Sequence, residues 1–203
     1  ASGIEGERYG SHFRFRLKPA MPLLPQSGIP RLRSHPVAPF RIDRDELEHD
    51  LPWRLMQNSP VTLYWRRECF EADIRELRER GFVVPSFDCG DWTDEFALHE
   101  ALRLGLGMPD YTGRNFDALN DSLSEIEVPE ESGLMVALDN VTAAPRADVF
   151  LDVLANASRW WLLFGRIFGV LARTDDPDYQ APIVGAMRPH WNGRERLDAN
   201  RGK

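Results

Sequence analysis

Asp117 and Asp121 stand four residues apart in the stretch PDYTGRNFDALNDSLSEI (residues 109–126), with Tyr111 in the loop before them and no basic residue four positions from either. Two carboxylates on one helix face suit two kinds of chemistry: holding a hard cation, or presenting negative charge to a cationic partner. A Mg2+ ion bound by so few carboxylates needs further oxygen ligands or a phosphate substrate, and the stretch supplies neither, so no metal or cofactor is expected. The bland reading also has a basis. Asp117 in a first helical turn complements the helix dipole by about 0.3–1 kcal/mol, and a polar face toward water needs no function. Asp121, a turn later, gains little from the dipole, and like charges at this spacing cost a helix a few tenths of a kcal/mol.

The elements that must position these residues follow from periodicity. A helix from Phe116 puts Phe116, Leu119, Leu123 and Ile126 on one stripe that faces a core, and Asp117, Asp121, Ser124 and Glu125 opposite it, with Asn120 at the boundary. Asn115 suits the N-cap, and Gly113 a turn of positive φ just before it. Upstream, TDEFALHEALRLGLG reads as a helix capped by Thr93. Phe96, Leu98, Ala101 and Leu102 supply its apolar contacts, Glu95 and Glu100 face water, and His99 faces the core.

The rest of the chain alternates strands and helices. VTLYW (61–65) and FVVPSFD (82–88) are apolar runs, and Pro85 points to an edge position for the second or to a strand limited to its first residues. ECFEADIRELRERG carries Phe70, Ile74 and Leu77 on one stripe and closes at Gly81. GLMVALDN (133–140) is the continuous apolar run of a buried parallel strand. PRADVFLDVLANASRWW is an amphipathic helix with Pro145 near its start, and GRIFGVLAR ends the pattern with a strand at 167–172. Trp160 and Trp161 are expected to anchor that last helix in the core, an exposed Trp160 being the mark of a binding residue.

This alternation predicts an α/β fold with a small parallel sheet covered by helices. Four segments follow: an irregular, proline-rich extension over 1–52, a strand–helix unit over 53–80, a main domain over 81–173 and a polar tail over 174–203. Within the extension, HFRFRLKP has the period of a half-buried strand, and Arg44–Asp50 suits a short polar helix. The tail reads as a surface arm.

Composition narrows the function classes. The net charge of -7 is unevenly spread: residues 1–42 hold seven basic and two acidic side chains, and residues 88–131 hold twelve acidic and two basic ones. An acidic segment repels nucleic acid and attracts basic proteins. The basic first forty residues lack the dense Lys/Arg clusters with interleaved aromatics of a nucleic-acid binder, so no direct nucleic-acid partner is expected. No apolar run approaches the length of a membrane span, and the N-terminal residues lack the order of a signal peptide. Two cysteines, Cys69 and Cys89, make neither a disulfide framework nor a zinc site, which fits a reduced, cytoplasmic protein. No Ser/His/Asp order, Gly-rich phosphate loop or CxxC supports catalysis, and no catalytic residue is assigned.

The opening stretch resembles the barstar family, whose loop and helix follow the order Pro–acidic–Tyr–x–Gly–x–Asn–x–Asp–Ala–Leu–x–Asp. Here the pattern is carried by Pro109, Asp110, Tyr111, Gly113, Asn115, Asp117, Ala118, Leu119 and Asp121. The upstream LHEALRLGLGMPDY and the element order over about 81–173 agree with it. The resemblance implies a barstar-like sheet of three strands, here with VTLYW as an extra one, and a cytoplasmic inhibitor of a bacterial secreted or toxin ribonuclease. It implies no enzymatic activity and no cofactor.

In the family the acidic loop and helix block the ribonuclease active site in place of RNA phosphates. Carried over, Asp121 is the central phosphate mimic, Asp117 flanks it, Tyr111 packs on the enzyme's catalytic His, and the Gly113–Asn115 backbone supplies shape. Three positions depart from the family. Asn120 stands where it has a Trp, and Asn156 and Trp160 stand where its last helix offers acidic side chains. These departures keep a second expectation open: a regulatory or scaffolding module of the same fold that binds a different basic protein.

Overall fold

A computed structural model describes residue 40 and residues 50–201. The strand expected at HFRFRLKP and the helix expected at Arg44–Asp50 lie outside the described residues.

Among the described residues the sheet has five parallel strands: β1 (Val61–Tyr64), β2 (Ser86–Asp88), β3 (Leu134–Asp139), β4 (Phe168–Arg173) and β5 (His190–Trp191), in the order β2-β3-β4-β1-β5. The expected α/β fold with a parallel sheet is therefore present. β3 and β4 pair through the register Leu134↔Phe168 to Leu138↔Ala172 and are buried along almost their whole length, which is why both read as unbroken apolar runs. β2 is an edge strand shorter than its apolar run, with Val83 forming only an isolated bridge to Leu134 and Pro85 interrupting the segment. Pro85 has no N–H to donate to a second neighbour, so the edge is where it fits.

Helices cover both faces. On one, α1 (Leu51–Met56) and α2 (Arg67–Glu79) bury Leu51, Leu55, Phe70, Ile74 and Leu77 against Tyr64, Met135, Ala137 and Leu171. Leu51 and Pro52, assigned from sequence to the irregular extension, belong to this buried helix. On the other, α3 (Glu95–Gly105), α4 (Phe116–Leu123) and α5 (Ala147–Leu163) pack on Val136, Leu138, Val170 and Ala172.

The polar segment after β4 supplies β5, whose His190 and Trp191 stand beside Thr62 and Leu63 of β1. Its Ala181 and Val184 join the core under α5. Two buried carboxylates fasten it: Asp73 meets the Arg194 guanidinium at 2.5 Å, and Glu195 accepts the backbone N–H groups of Trp65 and Arg66 at 3.2 and 2.6 Å. Composition alone pointed to a surface arm because nothing local shows that these charges have partners more than a hundred residues away.

Candidate functional site

The loop from Gly107 to Arg114 and helix α4 form one surface at the end of α3. The chain leaves α3 through Gly107 at φ +66, a left-handed conformation that a β-carbon would strain. Asn115 then caps α4, its side-chain oxygen accepting the Ala118 N–H at 2.8 Å. The cap of α3 is Asp94, which accepts from Ala97 at 2.8 Å, in place of the expected Thr93. The carboxylate is one residue nearer the first turn and adds favourable charge at the helix N-terminus.

Gly113 is required for a different reason from the one its sequence context suggested. Its φ lies outside the left-handed region, but a β-carbon there would stand 2.9 Å from Cβ of Ala118. The constraint is space between loop and helix. Ser122 and Thr112 bring their hydroxyl oxygens to 3.4 Å across the same seam.

α4 is held from beneath. Leu119 and Leu123 are buried, worth about 1.5–3 kcal/mol each, and Ile126 joins them. Phe116 is half-buried against His99 of α3, ring centroids 5.0 Å apart. The Trp161 indole N–H donates to the Leu123 carbonyl at 2.9 Å, satisfying one of the open carbonyls at the end of α4.

The outward face carries the rest. Tyr111 is 84% exposed, and Asp117 and Asp121 are both exposed. Asn120 is half-buried at the margin. Among the described residues neither Asp117 nor Asp121 forms an ion pair. The basic residues of the same segment are engaged elsewhere: Arg103 pairs with Glu100 and Asp110, and Arg114 with Glu100. The Glu100 carboxyl sits below its ordinary range, chiefly through the hydrogen bond from Arg103. A carboxylate depressed in this way keeps its pairs above the ordinary carboxyl range and loses them only as pH falls through the lowered value.

Tyr111, Gly113, Asn115, Asp117, Asn120 and Asp121 thus lie on one loop–helix unit. Asn156 and Trp160 lie on α5. Asn156 donates to Asp152 at 3.1 Å, and Asp152 in turn accepts the Gly185 N–H at 2.8 Å, so this part of α5 is turned toward the C-terminal segment. Trp160 is 38% exposed and meets Phe164 edge to face at 5.0 Å, with Leu163 exposed beside them. The expectation that both tryptophans anchor α5 in the core therefore holds only for Trp161, which is half-buried.

Two further residues differ from the sequence reading. Phe96, expected in the core, is exposed, and the Arg114 guanidinium lies 4.4 Å above its ring. Glu100, expected to face water, is the partly buried hub of the Arg103 and Arg114 pairs. The i, i+3 spacing of Glu100 and Arg103 was the available signal; their reach to Asp110 and Arg114 was not readable locally.

His99 is buried with Nε2 lacking a hydrogen-bond partner; His190 is half-buried, its enclosed Nδ1 likewise without one, and desolvation pushes both imidazoles below their ordinary value. The unfolded chain then takes up these protons first. Stability is full above the ordinary histidine pKa and falls as pH drops through it toward the lowered folded values. Thermal unfolding between about pH 7 and 5 is expected to show this decline, with His99→Gln and His190→Gln each flattening part of it. An unchanged slope in the double variant would contradict the assignment.

Burial pushes both cysteine thiols up, away from the nucleophilic thiolate. Among the described residues no cluster of three or more His, Cys, Asp or Glu could hold a metal ion, and no helix is long and apolar enough to cross a membrane.

Residues 82–173 match the model of the family described as barstar (barnase inhibitor). No curated protein matches the chain. The matched residues run from the start of the β2 segment to the end of β4 and include α3, the acidic loop, α4 and α5. Over these residues the chain is similar to the barstar family, and β1 and β5 lie outside the matched residues, on the β4 side of the sheet.

Proposed function

We propose that the protein inhibits a basic ribonuclease, a bacterial secreted or toxin nuclease, inside the cell that makes it. One observation carries this reading. Asp117, Asp121 and Tyr111 stand exposed on a single loop–helix unit, without ion pairs of their own among the described residues, while the neighbouring arginines are paired elsewhere. Such a face offers carboxylates to a cationic cleft at little internal cost, and its charge speeds encounter with a basic partner. Asp121 takes the central anionic position with Asp117 beside it. Tyr111 supplies an aromatic contact, and the Gly113–Asn115 backbone shapes the approach.

The test is inhibition of a barnase-type ribonuclease by the purified full chain at low and moderate salt. One-to-one inhibition whose association slows with salt supports the reading. Absence of inhibition directs the search to other basic nucleases, and failure against all of them removes it.

A second reading, a scaffolding module for a different basic protein, draws on α5. Asn156 is half-buried and bonded to Asp152, and Trp160, Phe164 and Leu163 offer an apolar surface where an inhibitor of the family type would offer acids. Removing residues 1–39, which leaves the buried helix α1 intact, separates the readings. An inhibitor keeps its ribonuclease without them, whereas a module that recognises its partner through the extension loses it.

A further inference from the structure

The loop that carries Tyr111 is bracketed by an ionic network of Glu100, Arg103, Asp110 and Arg114. The two Glu100 carboxylate oxygens accept from Nε and Nη2 of Arg103 at 3.2 and 2.6 Å, a two-pronged fork. Nη1 of the same arginine reaches Asp110 at the start of the loop. Glu100 also meets Nη2 of Arg114 at 3.4 Å, and the Arg114 guanidinium lies over the Phe96 ring. The network therefore grips the chain at 110 and again at 114, on either side of Tyr111, Thr112 and Gly113.

Isolated ion pairs on a protein surface contribute little. This one differs in two respects. The Arg103 side chain is only 16% exposed and its fork with Glu100 along α3 fixes the direction of both groups, and from that fork two further pairs, Arg103–Asp110 and Glu100–Arg114, join the helix to the loop. The network also takes up the cation nearest in sequence to Asp117, which would otherwise be available to offset the carboxylates.

We propose that Glu100, Arg103 and Arg114 are positioning residues that hold the loop in its binding geometry before a partner arrives. Binding then does not have to order the loop, which would weaken affinity. The effect on binding rests on the inhibitor reading above; the ordering of the loop does not.

The experiment uses the full chain and the variants Arg114→Gln and Glu100→Gln, both at partly exposed positions that the core does not need. Backbone amide exchange is measured in the free protein, and association and dissociation rates against a barnase-type ribonuclease. Exchange over residues 110–115 is expected to rise about fivefold in each variant, the scale of one exposed ion pair and one ring contact, with sheet and α5 amides unchanged. Dissociation is expected to speed up by a similar factor in both.

The two substitutions change the charge of the face in opposite directions, which makes the comparison decisive. If the groups acted only through charge, Arg114→Gln would bind faster and Glu100→Gln slower, with loop exchange unaltered, and the proposal would be overturned. Raised exchange in the variants of a protein that inhibits no ribonuclease would uphold the ordering of the loop and remove the inhibitor reading instead.

Discussion

Asp121→Ala is expected to weaken the complex with the target ribonuclease by about 2–5 kcal/mol, a rise in Kd of roughly thirty- to several-thousand-fold. The size follows from what happens to the partner. Once the interface closes, removing the carboxylate leaves a buried cationic group without its counter-charge, and that penalty exceeds the net worth of the pair itself. The free protein should behave oppositely. Asp121 is exposed on the last turn of α4 and repels Asp117 one turn earlier, so its loss should leave stability unchanged or raise it by a few tenths of a kcal/mol. Such a residue costs its own helix a little and returns it only in the complex.

Binding titrations and thermal unfolding of the same variant check both halves. Salt adds a third reading, because the Debye length shrinks from about 10 Å at 0.1 M to about 3 Å at 1 M. Association of the parent should slow over that range far more than association of an Asp117→Ala/Asp121→Ala variant. If the double variant bound as tightly as the parent, the acidic face would not be the interface.

Glu195→Ala should destabilise the fold by about 3 kcal/mol, although Glu195 lies in the most polar part of the chain. Helix α2 begins after Arg66, which offers no side-chain cap of its own. The missing acceptor comes from Glu195, fully buried, whose carboxylate takes the Trp65 and Arg66 N–H groups and lies 3.3 Å from Arg66 Nε. An acid at a helix N-terminus is favourable for the dipole as well as for the orphan donors. Removing it strands two backbone donors and unties the segment after β5 from the head of α2.

The measurement is denaturant unfolding with the slope compared between variant and parent, so that a lower midpoint at equal slope reports stability alone. Glu195→Gln, which keeps an acceptor oxygen but not the charge, should fall between the two. A loss under 0.5 kcal/mol for Glu195→Ala would mean that the C-terminal segment is an accessory to the sheet and not a part of it.

Much of the domain was legible because its signals are local. Unbroken apolar runs locate β3 and β4, and Pro85 limits β2 to an edge. The stripe of Phe116, Leu119, Leu123 and Ile126 turns Asp117 and Asp121 outward by the 3.6-residue period alone, and Asn115 caps α4 as its type and place require. The same holds for His99, whose position on the apolar side of α3 leads to the buried site that the fold gives it.

What the sequence by itself determined, then, is the type of the main elements from β1 to β4, the apolar stripe that seats α4 and the acidic face it leaves to water, since these depend on residues within a turn or two of one another. The tertiary structure alone decided which polar groups meet. Glu195 at the head of α2, Arg194 on Asp73, Arg114 over Phe96 and Gly185 against Asp152 join positions that no periodicity relates. A charged side chain with a partner and one left to solvent are identical in sequence. Only the packing of the sheet and helices sets the distance between charges, and with it which arginines are paired and which carboxylates remain for a partner.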